Sequence, residues 1–182
     1  MNLGEYIPYM NDTEIVHLMR YIDKEKDVLE IGCGHSTVFL SKLVNRLVSI
    51  EHNVEWATQI YNTLIKFGLQ HDIKIIPPNY PQGHPFHPAQ PNQFDDYVNY
   101  LKEYTELFDI IIVDGRDRVR CVTETIKNLK IGGYMIIHDF WNRSKYHSVL
   151  SFSELELVVE KNSYPIDKVE DTLVVLRKIK NG

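Results

Sequence analysis

This sequence has few cysteines, no long hydrophobic run and no excess of positive charge. Its two cysteines, Cys33 and Cys121, fall in unrelated predicted elements, which argues against a disulfide framework and favours a reducing compartment. No apolar stretch approaches membrane-spanning length, and the first residues lack the basic-then-apolar pattern of a signal peptide. We therefore expect a cytoplasmic protein without a membrane span.

Positive charge is outnumbered by negative charge. The chain has 20 Lys and Arg residues against 25 Asp and Glu residues, a net charge of −5. Extended nucleic-acid surfaces are usually basic, so this balance argues against one, although a small local basic patch is compatible with it. A hydrophobic content of 43% and a length of 182 residues are typical of one soluble globular domain.

The stretch Val28–Thr37, with the sequence V-L-E-I-G-C-G-H-S-T, organises the rest of the chain. Its apolar residues predict a buried strand, Gly32 and Gly34 permit a tight turn, and Ser36 or Thr37 can cap the helix that follows. Such a strand–turn–helix places free backbone N–H groups at the carboxyl edge of a sheet, where α/β proteins bind nucleotides. The dinucleotide fingerprint has a third glycine that is missing here, which disfavours NAD and FAD.

The hydrophobic pattern predicts strands that alternate with helices. This alternation indicates an α/β fold: a doubly wound, mostly parallel sheet with right-handed crossovers and helices on both faces. Two closing strands have no helix-length connection, so one of them should be antiparallel. The predicted strands are 27–31, 47–51, 73–76, 108–113, 134–137, 155–161 and 172–179, and the helices are about 11–22, 36–44, 54–67, 95–106 and 119–129, the last ending before Gly132-Gly133.

Polar and acidic residues follow the first five predicted strands at their carboxyl ends. One such residue is more often a turn or cap residue than a catalyst, but five such positions at one edge favour a binding site. Glu51 lies about 20 residues beyond the glycine turn, where a carboxylate can hold ribose hydroxyls; the alternative is a solvated strand-end charge. These positions are Gly32-Cys33-Gly34, Glu51-His52-Asn53, Asn79, Asp114-Gly115-Arg116 and His138-Asp139-Phe140.

Four motifs in this order resemble class I S-adenosylmethionine-dependent methyltransferases: E-I-G-C-G-H-S-T, S-I-E-H-N, F-D-I-I-I-V-D-G and G-G-Y-M-I-I-H-D. The resemblance covers roughly residues 10–180 and implies a Rossmann-like, seven-stranded sheet with the last strand antiparallel. It also implies the residues of the S-adenosylmethionine site. The methionine part would lie among Glu30, Gly32 and Gly34, with Ser36 in the same site. Glu51 would hold the ribose, and His52 and Asn79 would lie near the adenine. Asp114 would lie near the sulfonium and the acceptor.

The V-D-G and H-D motifs are similar to the branch that methylates small molecules and sugars on oxygen. Several members bind Mg²⁺ through carboxylates at these two strand ends, so the resemblance implies Mg²⁺ or Mn²⁺ on Asp114 and Asp139. His138 stands where some relatives have another acidic ligand. It is either a general base at neutral pH or a histidine packed at the strand end. The candidate catalytic residues are thus Asp114, His138 and Asp139.

A proline-rich segment separates the third and fourth predicted strands. Six of the eight prolines fall between Pro77 and Pro91, and long loops of this kind are usually functional or disordered. We expect about 77–107 to cap the acceptor site, with residues 1–10 as a second wall. His84 and His87 form an H-x-x-H pair without the further ligands that zinc requires.

The expected activity is methyl transfer from S-adenosylmethionine to an oxygen of a sugar, glycan or other small molecule, in line and with help from a base or divalent metal. The alternatives are an RNA or protein methyltransferase, or a non-catalytic partner subunit with the cofactor fold. An oligomer is compatible with the sequence. Arg116 is expected to contact an anionic acceptor or to pair with Asp139, and Arg118 and Arg120 to lie on a solvated helix face.

Overall fold

The computed structural model describes residues 6–79, 92–159 and 172–182, which contain seven strands, five α-helices and the 3₁₀ helices Ile126–Asn128 and Ser144–Ser151. The helices are α1 (Asp12–Met19), α2 (His35–Leu40), α3 (Val54–Lys66), α4 (Asp95–Glu103) and α5 (Arg118–Thr125). The strands are β1 (Asp27–Ile31), β2 (Arg46–Glu51), β3 (Asp72–Ile75), β4 (Phe108–Val113), β5 (Leu129–Ile137), β6 (Leu155–Val159) and β7 (Val174–Lys178). Within these ranges no helix is long and apolar enough to cross a membrane.

All seven strands belong to one sheet with the order β3-β2-β1-β4-β5-β7-β6. The first five strands pair in parallel, and β7 runs antiparallel to both β5 and β6. The predicted Rossmann-like sheet, mostly parallel with its last strand antiparallel, is therefore confirmed.

Helices cover both faces of the sheet, as the alternating pattern predicts. One face packs against α1 and α2 through residues such as Leu18, Val28 and Leu40. The opposite face packs against α4, α5 and a 3₁₀ helix at Ser144–Ser151. The central strands are buried on both faces, which explains why they read as continuous apolar runs.

The predicted helix 119–129 is confirmed as a helical segment, because α5 ends at Thr125 and a 3₁₀ helix, Ile126–Asn128, continues it. The predicted start of the fifth strand is wrong: β5 begins at Leu129, so Gly132-Gly133 lies inside the strand. A Cβ on Gly133 would lie 2.6 Å from the carbonyl oxygen of Asp109, and Gly132 has a φ of +85°. The glycines therefore form an irregularity at which β4 approaches closely, whereas the sequence suggested a helix breaker.

The second half of the proline-rich segment forms a crossover helix. Residues of α4, including Tyr97, Val98 and Leu101, are fully or almost fully buried in the main core. Residues 80–91, with His84 and His87, lie outside the described part of the chain. Capping of the acceptor site by this segment stays a prediction.

Strand register brings the predicted site residues to one edge. Ile31 at the end of β1 pairs with Val113 of β4, which pairs in turn with Ile137 of β5. Asp114 and His138 extend this alignment, because their backbone N–H groups donate to Ile31 and Val113 across the sheet at 2.9 and 3.2 Å. The strand ends therefore form one continuous polar edge.

Candidate functional site

A cleft of about 360 Å³ opens at this edge of the sheet. Its lining comes from residues within four segments, 8–10, 32–36, 51–56 and 114–118. Clefts of this size at the carboxyl ends of parallel strands are typical of small-molecule sites. The cleft is therefore the candidate ligand site of the described structure, and residues 8–10 form one of its walls. The role of this segment as a wall of the acceptor site stays a prediction.

The floor of the cleft is a contact between two turns. Gly32 has a φ of +98°, and a Cβ on it would lie 2.6 Å from the Cα of Gly115. The turns after β1 and β4 thus touch through their backbones, which only glycine permits. Gly34 has an ordinary extended φ of −177°, and a Cβ there would be 3.8 Å from Trp56 Nε1. The strict requirement for glycine therefore falls on Gly32.

Glu30 lies beneath the glycine turn and not among the residues that line the cleft. It is 1% exposed, and the parallel register places Ser49 beside it. Its carboxylate accepts hydrogen bonds from the hydroxyls of Ser36, Thr37 and Ser49 at 2.5, 2.6 and 2.6 Å. Burial raises its pKa to about 7. Any effect of Glu30 on a ligand passes through the turn that it supports.

Thr37 links this buried carboxylate to the turn above it. Its Oγ1 accepts the backbone N–H of Gly34 at 2.8 Å and donates to Glu30. Of the two predicted caps, Thr37 therefore holds the turn, while Ser36 lines the cleft.

Glu51 provides an ionised carboxylate in the wall of the cleft. It is 3% exposed and accepts the backbone N–H groups of Cys33 and Asn53 at 2.9 and 2.7 Å. His52 Nδ1 lies 2.6 Å from Glu51 Oε1. Burial opposes ionisation, but these polar contacts outweigh it and lower the pKa of the Glu51 carboxyl. A carboxylate offers about four acceptor positions, so capacity remains for ligand hydroxyls.

Three aromatic rings form a shelf at the mouth of the cleft. The Tyr9 and His35 rings stack with centroids 4.6 Å apart, and the His35 and Trp56 rings lie 6.1 Å apart within 18° of parallel. Trp56 is fixed because its Nε1 donates to the Cys33 carbonyl at 2.7 Å. Tyr9 was expected in a pocket wall, whereas sequence reasoning missed His35 and Trp56. A tryptophan in the first turn of a helix leaving the site edge is the signal that could have found Trp56.

A cluster of charges borders the cleft at the ends of β4 and β5. Arg118 Nη2 lies 2.8 Å from Asp114 Oδ1 and 3.4 Å from Asp139 Oδ2. Asp139 Oδ2 also accepts from Arg143 at 3.0 Å. The prediction that Arg118 lies on a solvated helix face is wrong, because Arg118 is buried. It is the arginine that lies between the two aspartates.

His138 is held between two carboxylates. Its Nδ1 is 3.0 Å from Asp114 Oδ1, and its Nε2 is 3.6 Å from Glu14 Oε2. Burial favours the neutral ring, but the contacts with Asp114 and Glu14 outweigh it and raise the pKa of His138 to about 10. A protonated ring has no lone pair to accept a proton. Of the two interpretations left open, the geometry favours a packed, ion-paired histidine over a general base.

Glu14 ties α1 and the end of the chain to this cluster. Although burial opposes ionisation, the contacts with His138, Thr172 and Asn11 lower the pKa of Glu14 to about 2. The backbone N–H of Thr172 donates to Glu14 Oε1 at 2.8 Å, and its hydroxyl donates to the same oxygen. Nothing in the sequence pattern pointed to Glu14 as a site residue.

The implied Mg²⁺ or Mn²⁺ does not fit this arrangement. Donor atoms of Asp114, His138 and Asp139 do lie within 4.8 Å of one another. However, the Arg118 guanidinium bridges the two carboxylates, and the His138 nitrogen nearest to them already contacts Asp114. A positive side chain therefore stands where the cation was expected.

Six of the eight predicted cofactor residues line the cleft: Gly32, Gly34, Ser36, Glu51, His52 and Asp114. Glu30 lies below it, as described. Asn79 is exposed, and its Oδ1 accepts the backbone N–H of Asp96 at 3.0 Å, at the start of α4. Of the predicted catalytic residues, Asp114 lines the cleft, while His138 and Asp139 are not among the lining residues. A place for Asn79 near an adenine stays a prediction.

No protein-family model matches the chain, and no curated protein matches its sequence. Its fold does match solved structures. A methyltransferase-like protein from Silicibacter pomeroyi is 21% identical with a TM-score of 0.69, covering 94% of this chain and 89% of that one. A Streptococcus mutans protein described as a methyltransferase, in complex with S-adenosylhomocysteine, is 17% identical with a TM-score of 0.59 and coverages of 93% and 98%.

A third match is an S-adenosylmethionine-dependent O-methyltransferase from Thermotoga maritima. It is 16% identical with a TM-score of 0.61, covering 97% of this chain and 68% of that one. The matched structures also include an rRNA methylase and an N-methyltransferase, so the shared fold does not specify an acceptor. The chain has the Rossmann-like methyltransferase fold, and at these identities the likeness extends to the fold alone.

Proposed function

We propose that the chain is an S-adenosylmethionine-dependent methyltransferase that binds its methyl donor in the cleft. The observation that carries this proposal is the contact between the glycine turn and Glu51, whose buried carboxylate accepts the N–H of Cys33. The contact places the backbone of the glycine turn and an ionised hydrogen-bond acceptor side by side in one cleft. A structure with the same fold holds S-adenosylhomocysteine, which supports the same ligand here.

The chemistry of the lining suits each part of this ligand. Glu51 can accept a ribose hydroxyl, and the neighbouring His52 ring can lie against the adenine. The turn from Gly32 to Gly34 offers backbone beneath the methionine part. The carboxylate of Asp114 borders the cleft, where its second oxygen can face the sulfonium and the methyl acceptor.

When bound, S-adenosylmethionine supplies a methyl group on a positively charged sulfur, which is already electrophilic. The protein's main task is then to hold the acceptor atom in line with the methyl group. We assign the acceptor's proton to Asp114 Oδ2, because Oδ1 already contacts His138 and Arg118. An oxygen that has gained a methyl group holds its proton weakly, so a carboxylate is a sufficient base.

We propose a hydroxyl oxygen of a small molecule or sugar as the acceptor. The aromatic shelf of Tyr9, His35 and Trp56 supports this, because aromatic faces stack on sugar and aryl rings. Tyr9 is 73% exposed and can cover a bound ring. The net charge of −5 counts against a nucleic-acid acceptor.

Calorimetry with S-adenosylhomocysteine and S-adenosylmethionine tests the binding step. Transfer of a radioactive methyl group from S-adenosylmethionine to separate panels of small hydroxyl compounds and sugars, ribosomal RNA, and protein then tests the acceptor. We expect binding of both nucleosides and labelling of the small-molecule panel. Absence of binding would overturn the proposal in favour of a non-catalytic subunit. Labelling of RNA or protein alone would overturn the proposed class of acceptor but not the proposed methyl donor.

A further inference from the structure

We propose that Arg118 is the built-in cation of this site: its guanidinium takes the place of a divalent metal between Asp114 and Asp139. The wild-type protein then works without a metal, and removal of the guanidinium creates a metal site. The statement about activity rests on the proposed function. The statement about metal binding concerns the protein alone and can be tested without any methyl donor.

The contacts of Arg118 are those of a fixed ion and not of a mobile surface side chain. Nη2 bridges Asp114 and Asp139, as described above. Nε donates to the Gly115 carbonyl at 3.0 Å, and Nη1 donates to the His138 carbonyl. The planar guanidinium is suited to such divided contacts, because its N–H groups point outwards in fixed directions. Arg118 is 8% exposed, so bulk water screens these interactions only weakly.

The charges around Arg118 are already paired. Asp114 and Asp139 both contact its guanidinium, and Asp139 also contacts Arg143. A divalent ion between the two aspartates would have to displace the guanidinium or bring two further positive charges against it.

Two residues beside the guanidinium have a left-handed backbone. Asp139 has a φ of +54° and Asp117, the residue before Arg118, has a φ of +48°. Left-handed backbone at residues other than glycine is held only where surrounding contacts determine it. The Tyr146 ring lies against the charge, with its centroid 5.4 Å from the guanidinium carbon. The arginine thus occupies a position that several elements of the fold define.

Loss of the guanidinium leaves an acidic pocket with ligands that Mg²⁺ and Mn²⁺ prefer. Asp114 and Asp139 would then be without the charge between them, and their oxygens and a His138 nitrogen already lie within 4.8 Å of one another. A unit charge removed at contact distance changes the affinity for a divalent ion by about tenfold or more. Methionine in place of arginine preserves much of the packing without the charge.

Electron paramagnetic resonance with Mn²⁺ alone tests this proposal. We compare wild type with Arg118→Met and Arg118→Lys, and with Arg118→Met/Asp139→Asn. We expect Arg118→Met to bind Mn²⁺ about tenfold or more tightly than wild type, and Arg118→Lys, which keeps a positive charge, to resemble wild type. Asp139→Asn should cancel the gain. Equal Mn²⁺ affinity in wild type and Arg118→Met would overturn the proposal.

Two further measurements do not depend on folding of the Arg118→Met variant. Asp139→Asn alone should leave the weak Mn²⁺ affinity of the wild-type protein unchanged. A decrease in that affinity would overturn the proposal, because it would reveal a metal site in the wild type. Wild-type methyl transfer should be unchanged in EDTA, and a loss that Mg²⁺ or Mn²⁺ restores would also overturn it. If the protein binds no S-adenosylhomocysteine, the proposed function fails, but the Mn²⁺ comparison still decides the role of Arg118.

Discussion

Gly32 and Gly115 meet through their backbones at the floor of the cleft. A Cβ on Gly32 would lie 2.6 Å from the Gly115 Cα, a distance that side chains do not reach in folded proteins. The contact joins the turns after β1 and β4, which carry different parts of the lining. The shape of the cleft therefore depends on a residue that provides no ligand-binding atom in its side chain.

Gly32→Ala should unfold the protein far more readily than Gly68→Ala. Both glycines have a positive φ, +98° and +63°, but a Cβ on Gly68 would meet nothing within 4 Å. We expect a loss of about 1 kcal/mol at Gly68 from backbone strain alone, and about 3 kcal/mol or more at Gly32, where backbone must also move. Urea unfolding measures both. Equal losses would mean that the turn accommodates a methyl group.

Thr37→Val should destabilise the glycine turn, while Thr37→Ser should not. Valine has the shape of threonine but leaves the Gly34 N–H without its partner and removes one of the two hydrogen bonds that Glu30 Oε2 accepts. We expect a loss of about 2 kcal/mol in the free energy of unfolding, together with weaker binding of S-adenosylhomocysteine. Serine retains the hydroxyl and serves as the control. Similar behaviour of the two variants would show that the methyl group of Thr37 matters and not its hydrogen bonds.

Glu51→Gln should weaken the binding of S-adenosylhomocysteine by about tenfold or more, because an amide loses the charge-assisted bond to a ribose hydroxyl. As a solvated strand-end charge, the alternative that the sequence left open, Glu51 would be inexpensive to remove. Its 3% exposure changes that expectation, and we predict a loss of about 1 to 2 kcal/mol in stability as well. Calorimetry and urea unfolding measure the two effects.

Ile60→Val is the matched control for Glu51→Gln. Ile60 is 2% exposed in the core between α2 and α3, and its truncation should lower stability by about 1 kcal/mol. We expect its affinity for S-adenosylhomocysteine to equal that of wild type. A loss of affinity in both variants would show that reduced stability, and not the missing carboxylate, weakens binding.

His138 should remain protonated well above neutral pH. Its pKa of about 10 in the folded protein exceeds the ordinary value of 6.5. The contribution to stability is therefore complete below about pH 6.5, declines as the pH rises, and is lost above about pH 10. We predict that the stability difference between wild type and His138→Gln is largest near pH 6 and smallest near pH 10, by urea unfolding.

Nuclear magnetic resonance of the imidazole provides the direct measurement. The ring signals of His138 should show no titration between about pH 6 and pH 8, where ordinary histidines lose their proton. A midpoint near 6.5 would restore His138 as a candidate general base. The same midpoint would also remove the expected pH dependence of the stability difference.

The fold could be predicted because the patterns that indicate it lie within short stretches of the sequence. Continuous apolar runs and the turns that end them identify the buried strands, and Glu51 and Asp114 follow those turns directly. Arg118 could not be placed in this way, because an alternating run of arginines resembles a solvated helix face. Its burial depends on Asp139, which lies 21 residues further along the chain and reaches it only when β4 and β5 pair.

Glu30 and Gly133 show the same limit in two other forms. The hydroxyl of Ser49 reaches Glu30 across 19 residues because of the register between β1 and β2, and no local pattern contains that register. Gly133 suggested the end of a helix, whereas the absence of a Cβ at this position lets the Asp109 carbonyl approach. Sequence periodicity predicts which faces are buried but not which polar groups meet across them.

The bond between Glu14 and Thr172 joins residues 158 positions apart. Glu14 in turn faces His138, so the charge cluster is complete only when α1 and the residues before β7 have come together. During synthesis on the ribosome, the cleft can begin to form once β4 has emerged. The cluster must wait for Thr172, which makes it one of the last parts to assemble and the first to be lost when either end of the fold detaches.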